Sequence, residues 1–232
     1  MPQIAEHRFD SRQELLAELL ATVTGTLAGA VREQGKASML LSGGTTPGVL
    51  YQQMSQADLE WENIWFGLTD ERWVAPDHAD SNERLVNETL VQNKASNTNL
   101  VGLKSDFPTP AEGCAATEQQ NAVLPKPYDI VLLGMGTDGH TASLFPTSKD
   151  TPAALDPANS CACHPIRRDG EDVQRISMTL SNLLQAKQIF LFMYGAEKSA
   201  VFAEALKEKT DVLPVSHILH QDTVPVTLYW AE

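Results

Sequence analysis

Positive charge is what this chain has least of. Seventeen lysines and arginines stand against 30 acidic residues, a formal net charge of −13 at pH 7. Phosphate backbones are held by Lys/Arg surfaces, so this balance argues against nucleic acid as a partner. The global field also offers nothing to a phosphorylated small molecule. Any phosphate must then be met by a few local cations and backbone N–H groups, so single Arg and Lys residues become informative. Cysteine is scarce too: Cys114, Cys161 and Cys163. An odd number without a secretory signal points to reduced thiols. Cys161-Ala-Cys163-His164 lacks the two spaced pairs of a structural zinc site and reads as small residues buried on a strand. No apolar stretch approaches the roughly 18 residues of a membrane span. The first residues, Met-Pro-Gln-Ile-Ala-Glu-His-Arg, lack the hydrophobic region of a signal peptide. Linkers, low-complexity runs and internal repeats are missing as well. The expectation is one domain over residues 1–232, cytoplasmic, with no membrane partner; oligomeric state is not legible.

What is present is a regular alternation of elements, over an apolar fraction of 42% that can supply a core. Leu15, Leu19, Val23, Leu27 and Val31 recur at i+4, with Leu16 and Leu20 widening the stripe. Ser11-x-x-Glu14 can form a capping box before this helix, and Gly35 offers a stop. A buried strand, 38–41, ends in Ser42-Gly43-Gly44, after which Thr46 can cap a helix with Pro47 at its first position. Further strands are expected at 64–69, 99–103, 129–133, 175–180, 188–194 and 224–230. Helices are expected at 81–91, 110–123 and 197–208. Residues 145–170, with few apolar runs, read as a long connection near the site. Repeating β-then-α order implies an α/β fold, a mostly parallel sheet flanked by helices.

Residues 129–146 are the most informative stretch. The run Ile130 to Leu133 does not alternate, which suits a strand covered on both faces. It ends in Gly134, Gly136 and Gly139, with a carboxylate, Asp138, and an imidazole, His140, among them. Ligands of open α/β sheets bind at the carboxyl ends of strands. Gly134-x-Gly136-x-x-Gly139 also satisfies the dinucleotide fingerprint, but that motif needs a helix after its third glycine and an acidic residue about 20 positions on. Pro146 leaves little room for the helix, and Asp156 does not end an apolar strand. Gly43 and Gly44 precede a helix start, so their N–H groups can hold a phosphate or a sugar, yet the Gly-Lys-Ser/Thr of a P-loop is absent. His140 can accept a proton, since an unperturbed imidazole is mostly neutral at pH 7. Asp138 can orient it or bind a substrate hydroxyl. Arg72 carries a guanidinium fork suited to an anionic oxygen or a phosphate.

The stretch Gly-Met-Gly-x-Asp-Gly-His-Thr-Ala-Ser-Leu-Phe-Pro resembles the 6-phosphogluconolactonases of the glucosamine-6-phosphate isomerase/6-phosphogluconolactonase family. Leu41-Ser-Gly-Gly-Thr-Thr-Pro47, Thr69-Asp-Glu-Arg-Trp73, Arg175-Ile-Ser-Met-Thr-Leu180 and Gly195-x-x-Lys198 match the family as well. The resemblance implies a fold shared with ribose-5-phosphate isomerase and glucosamine-6-phosphate deaminase. It also implies hydrolysis of 6-phospho-D-glucono-1,5-lactone, a step of the pentose phosphate pathway, with a phosphosugar lactone as the only partner and no metal or cofactor. By resemblance, the catalytic set is His140 as base with Asp138, Asp70 and Arg72. Substrate would be held by Ser42, Gly43, Gly44, Thr45 and Gly136, and its phosphate by Arg175 and Lys198. The rival deaminase activity needs a carboxylate relay, and its motif carries glutamate five residues after the histidine. Phe145 stands there and cannot move protons. A sugar-phosphate sensor would need the phosphate grip but not His140. The chain departs from the family at Thr147, commonly glycine, and in its tail, 224–230, which leaves the packing of the last strand open.

Overall fold

The structure, a computed structural model, describes residues 4–232. The chain runs β1 (Ile4–Phe9), α1 (Arg12–Gln34), β2 (Ala37–Leu41), α2 (Thr45–Met54), β3 (Ile64–Leu68) and β4 (Asp70–Arg72). Next come α3 (Asn82–Thr89), β5 (Asn99–Leu100), α4 (Pro110–Asn121), β6 (Ile130–Leu133), α5 (Thr151–Leu155) and β7 (Cys163–Ile166). The last third holds β8 (Arg175–Met178), α6 (Leu180–Leu183), β9 (Ile189–Tyr194), α7 (Ala196–Ala205), α8 (Val215–Leu219) and β10 (Val226–Ala231).

The first helix forms as its sequence dictates. Ser11 Oγ accepts the Glu14 N–H at 3.2 Å, and Gly35 closes the helix in the left-handed region, φ 73°, where glycine escapes the Cβ penalty. Leu15, Leu19, Val23, Leu27 and Val31 are all buried. By length and composition α1 could nonetheless cross a membrane, with an 18-residue window of mean hydropathy 1.4. That corrects the expectation that no such stretch exists. Its apolar face packs against β1, β2, β10 and α2, which is the work of a core helix.

Seven strands form one sheet in the order β1-β10-β9-β6-β2-β3-β5, every pair parallel. The central strands β2 and β6 are buried at every position, as unalternating apolar runs require. From β2 the chain winds outward through β3 to β5; from β6 it winds the other way through β9 to β10. The direction reverses between β2 and β6, and that crevice is where open α/β sheets bind ligands. A second, antiparallel sheet, β4-β8-β7, stands apart, with Arg72 opposite Arg175 and Asp70 opposite Ser177.

Several expectations need correction. The second helix starts at Thr45 with Gly44 as its cap residue (φ 106°), so Thr46 lies inside the first turn and does not cap it. Residues 145–170 are not one connection but contain α5 and β7. The strand from Arg175 stops at Met178, because the Thr179 side chain accepts the Asn182 N–H and starts α6. Strand β1 escaped the sequence reading: at the sheet edge its residues are mostly exposed, so neither an apolar run nor alternation marks it. The tail packs fully, with β10 paired between β1 and β9.

Candidate active site

Loops after β2, β3, β6 and β9 converge at the reversal point and enclose a cavity of about 300 Å³. Ser42, Gly43, Gly44, Thr45, Asp70, Arg72, Gly136, His140, Arg175 and Lys198 all line it. Of the eleven residues expected from sequence, only Asp138 does not form its wall, and it grips one that does. Two helices, α2 and α7, begin here on glycine caps, Gly44 and Gly195, both at positive φ. Their unpaired N–H groups and dipoles make the cavity favourable to an anion despite the acidic surface.

After β6 the chain doubles back tightly. Gly136 N–H donates to His140 O at 2.9 Å, and Gly139 N–H donates to Gly136 O at 3.1 Å. Gly139 takes φ 77°, and a Cβ on Gly136 would lie 2.2 Å from the His140 ring. Glycine there lets the imidazole lie across the backbone. His140 Nδ1 is 2.5 Å from Asp138 Oδ1, and the His140 N–H donates to the same oxygen at 3.1 Å. Partial burial alone would raise the Asp138 pKa, but the His140 charge and hydrogen bonds outweigh it and hold the carboxyl below its usual range. An ionised Asp138 accepts a hydrogen bond from Nδ1–H, which leaves Nε2 as the acceptor nitrogen. Phe145 packs on the ring at 4.6 Å between centroids, so the position that would need a proton-relaying carboxylate in a deaminase holds an aromatic support.

Strand β4 explains the Asp-Glu-Arg triplet by alternation. Asp70 and Arg72 face the cavity. Glu71, fully buried, accepts hydrogen bonds from the N–H groups of Arg72, Asn82 and Glu83 and from Ser81 Oγ, tying the start of α3 to the strand. The triplet is therefore not a solvated charged loop. Ser143 Oγ donates to Asp70 Oδ2 at 2.5 Å and Thr69 Oγ1 to Oδ1 at 3.2 Å, joining β4 to the histidine loop. Ser143 is fully buried, with its hydroxyl donating to Asp70.

Three cations reach the cavity. Arg72 donates one N–H to Asp80 O at 2.6 Å, while its buried Nε meets no protein acceptor among the described residues. Arg175, opposite it across the strands, is paired with Glu171 at 2.8 Å. Lys198, on the first turn of α7, has no ion-pair partner among the described residues; burial pulls its pKa down, with Glu197 opposing. Like charges set opposite each other on neighbouring strands are unfavourable unless an anion is expected between them.

Sequence reasoning missed Asn82, Met135, Ala142 and Phe192 on the wall. Asn82 Nδ2 donates to Asp70 O at 2.9 Å, and the side chain fills the space a Cβ on Gly43 would need. Ser81-Asn82 marks a helix start in the sequence but not its contact with the site. Outside the cavity, Cys114, Glu118 and Cys163 place their ligand atoms within 4.8 Å of one another, the only cluster among the described residues with metal-binding potential.

The chain is similar to known proteins over nearly its whole length. The profile of the family described as glucosamine-6-phosphate isomerases/6-phosphogluconolactonase matches residues 10–230. A 6-phosphogluconolactonase of Rhizobium meliloti is 34% identical over 97% of both chains. One of Pseudomonas aeruginosa is 36% identical over 95% of this chain and 92% of its own. The crystal structure of a 6-phosphogluconolactonase from Shewanella baltica superposes with a TM-score of 0.95 at 36% identity, covering 99% of this chain and 98% of that one. A monomeric glucosamine-6-phosphate deaminase shares the fold at a TM-score of 0.78 and 20% identity. With the family profile matched over residues 10–230, and relatives 34% and 36% identical over nearly the full length, the chain belongs to the glucosamine-6-phosphate isomerase/6-phosphogluconolactonase family.

Proposed function

We propose that the chain, working as one α/β domain, is a carboxylic-ester hydrolase that opens 6-phospho-D-glucono-1,5-lactone to 6-phospho-D-gluconate, the reaction named for its relatives. One observation carries the reading: an Asp138–His140 pair stands in the same cavity as three cations and two helix N-termini. A phosphorylated ester needs a base at one end and an anion grip at the other.

In this mechanism His140 Nε2 takes a proton from water as the water oxygen bonds to the lactone carbonyl carbon. Asp138 holds the imidazole through Nδ1 and steadies the imidazolium that forms. Negative charge on the carbonyl oxygen is met by the Arg72 guanidinium, which lines the cavity. When the tetrahedral intermediate collapses, the carbon–ring oxygen bond breaks and the His140 proton passes to the leaving oxygen. Asp70, fixed by Ser143 and Thr69, orients a sugar hydroxyl or the attacking water. Ser42, Gly43, Gly44 and Thr45 at the start of α2, with Gly136, cradle the sugar, while Arg175 and Lys198 hold the phosphate. General-base help of roughly 10²–10⁴-fold and an oxyanion donor of about 10²–10³-fold suffice without a covalent intermediate, metal or cofactor. Pathway assignment and a cytoplasmic location follow the same reading.

The test is substrate preference with spontaneous hydrolysis subtracted. The phosphorylated lactone should be turned over with higher kcat/KM than the unphosphorylated one, and Lys198→Ala should erode the first more than the second. Equal kcat/KM on both lactones would remove the phosphate assignment.

A further inference from the structure

The cysteines scattered in sequence are gathered in the fold. Cys114 on α4 and Cys163 on β7, 49 positions apart, bring their sulfurs to 3.2 Å. Each sulfur also lies against the other residue's carbonyl oxygen, at 3.3 Å and 3.7 Å, so the two residues face each other from both sides. Cys163 is buried, Cys114 half-buried and Cys161 exposed. Glu118, one turn along α4 from Cys114, accepts hydrogen bonds from the N–H groups of Ala162 and Cys163 and so pins β7 to the helix.

Two chemistries suit such a cluster, a metal site and a disulfide. Two thiolates sharing a tetrahedral zinc sit about 3.8 Å apart, given Zn–S bonds of about 2.3 Å. These sulfurs are already closer than that. Glu118, the third ligand a metal would need, is engaged with the backbone of β7. A disulfide requires about 2.05 Å, which leaves roughly 1.2 Å for side-chain rotation to close. We propose that Cys114 and Cys163 are an oxidation site that closes to an intrachain disulfide on exposure to a hydroperoxide.

Accessibility sets the order of events. The Cys114 thiolate attacks one oxygen of hydrogen peroxide, the O–O bond breaks, and hydroxide leaves behind a sulfenic acid. The Cys163 sulfur then attacks the Cys114 sulfur and expels water, forming S–S. Two thiols and one peroxide give one disulfide and two waters, the peroxide taking both electrons. The thiols divide the roles accordingly: a hydrogen bond from Cys163 pulls the Cys114 thiol below its usual range, against burial and the Glu118 charge, while that bond and burial push Cys163 up. The link would fasten α4 to β7, and through β7 to β8, which carries Arg175.

The test uses Cys161→Ser protein, which removes the exposed competitor. It is treated with hydrogen peroxide at a dose that oxidises Cys161 in the parent protein, then quenched. Titratable thiols in denaturant should fall from two to none. Unreduced peptide maps should show the Cys114 and Cys163 peptides joined, 2 Da below their summed masses, and dithiothreitol should restore both thiols. The melting temperature should rise by several degrees before reduction and return after it, since closing a loop of this length constrains the unfolded chain. Persistence of two thiols, sulfinic acid on Cys114 without a link, or a bond between two chains would overturn the proposal. So would stoichiometric zinc held by the untreated protein and lost on Cys114→Ser, which would make the cluster a metal site.

Discussion

At the scale of single residues, the fold spends its tightest geometry on one imidazole. His140 is fixed by Asp138 at Nδ1 and by Phe145 on its face, and it crosses Gly136, where a Cβ would lie 2.2 Å from the ring. His140→Asn can keep a hydrogen bond to Asp138 but cannot accept a proton at neutral pH. Turnover should fall roughly 10²–10⁴-fold, with affinity for the phosphorylated product little changed. Near-parental turnover in a folded Asn variant would make the residue structural and move the base to Asp138 or Asp70. Gly136→Ala asks a finer question. The added carbon would meet the ring at 2.2 Å and Asp138 Oδ1 at 2.6 Å, so the dyad has to shift while the chain can still fold, since Gly136 is not at positive φ. Misplacement by about 1 Å costs on the order of 10²-fold. A kcat loss of that size with a melting temperature within a few degrees of the parent is expected. Unchanged kcat would mean that the ring position does not matter.

At the scale of elements, the readable and the unreadable parts separate cleanly. The loops after β2 and β6 could be read because an apolar strand, its terminal glycines and the reactive side chains are contiguous in sequence. For the β4-β8-β7 sheet only a strand from Arg175 and one around Cys163 could be read; β4 and the antiparallel pairing could not, because strands of three and four residues are too short to show alternation. Asn82 reaches the site only because Glu71 draws the start of α3 onto β4, a contact between parts of the chain that no local pattern announces. The same holds for Glu171, which precedes β8 and pairs with both Arg168 and Arg175. Burial works against its ionisation, but those two guanidiniums hold the carboxyl below its usual range. A phosphate approaching Arg175 must displace this internal anion. A partly exposed ion pair is worth about 1 kcal/mol, so Glu171→Gln should tighten competitive inhibition by inorganic phosphate by about fivefold. Weaker inhibition would instead show that Glu171 holds Arg175 in its binding position.

For the whole molecule, stability and activity should respond to pH in opposite directions. Burial raises the pKa of Glu71 in the folded protein, against the pull of its four donors. The folded state therefore binds that proton more tightly than the unfolded chain, and stability is lost as pH rises through the raised value. Self-repulsion in a chain of net charge −13 has the same sign, since acid relieves it. His217 opposes both: burial holds it low, against Asp211, so its protonation disfavours the folded state as pH falls. It is one mostly buried ring against a fully buried carboxylate and the whole acidic surface, and the balance should favour mild acidity. Below the ordinary carboxylate range the trend must reverse, because Asp138 and Glu171 are held low and the stability of their pairs is lost as they protonate. The melting temperature should therefore be higher in mild acid, just above the ordinary carboxylate range, than near about pH 8, and fall steeply below about pH 4. Over the first interval kcat/KM should decline with acid, because a protonated imidazole cannot activate water. A melting temperature that rises steadily from mild acid to about pH 8 would show that His217 outweighs Glu71 and the surface charge. Activity that rises toward pH 6 would count against an imidazole base altogether.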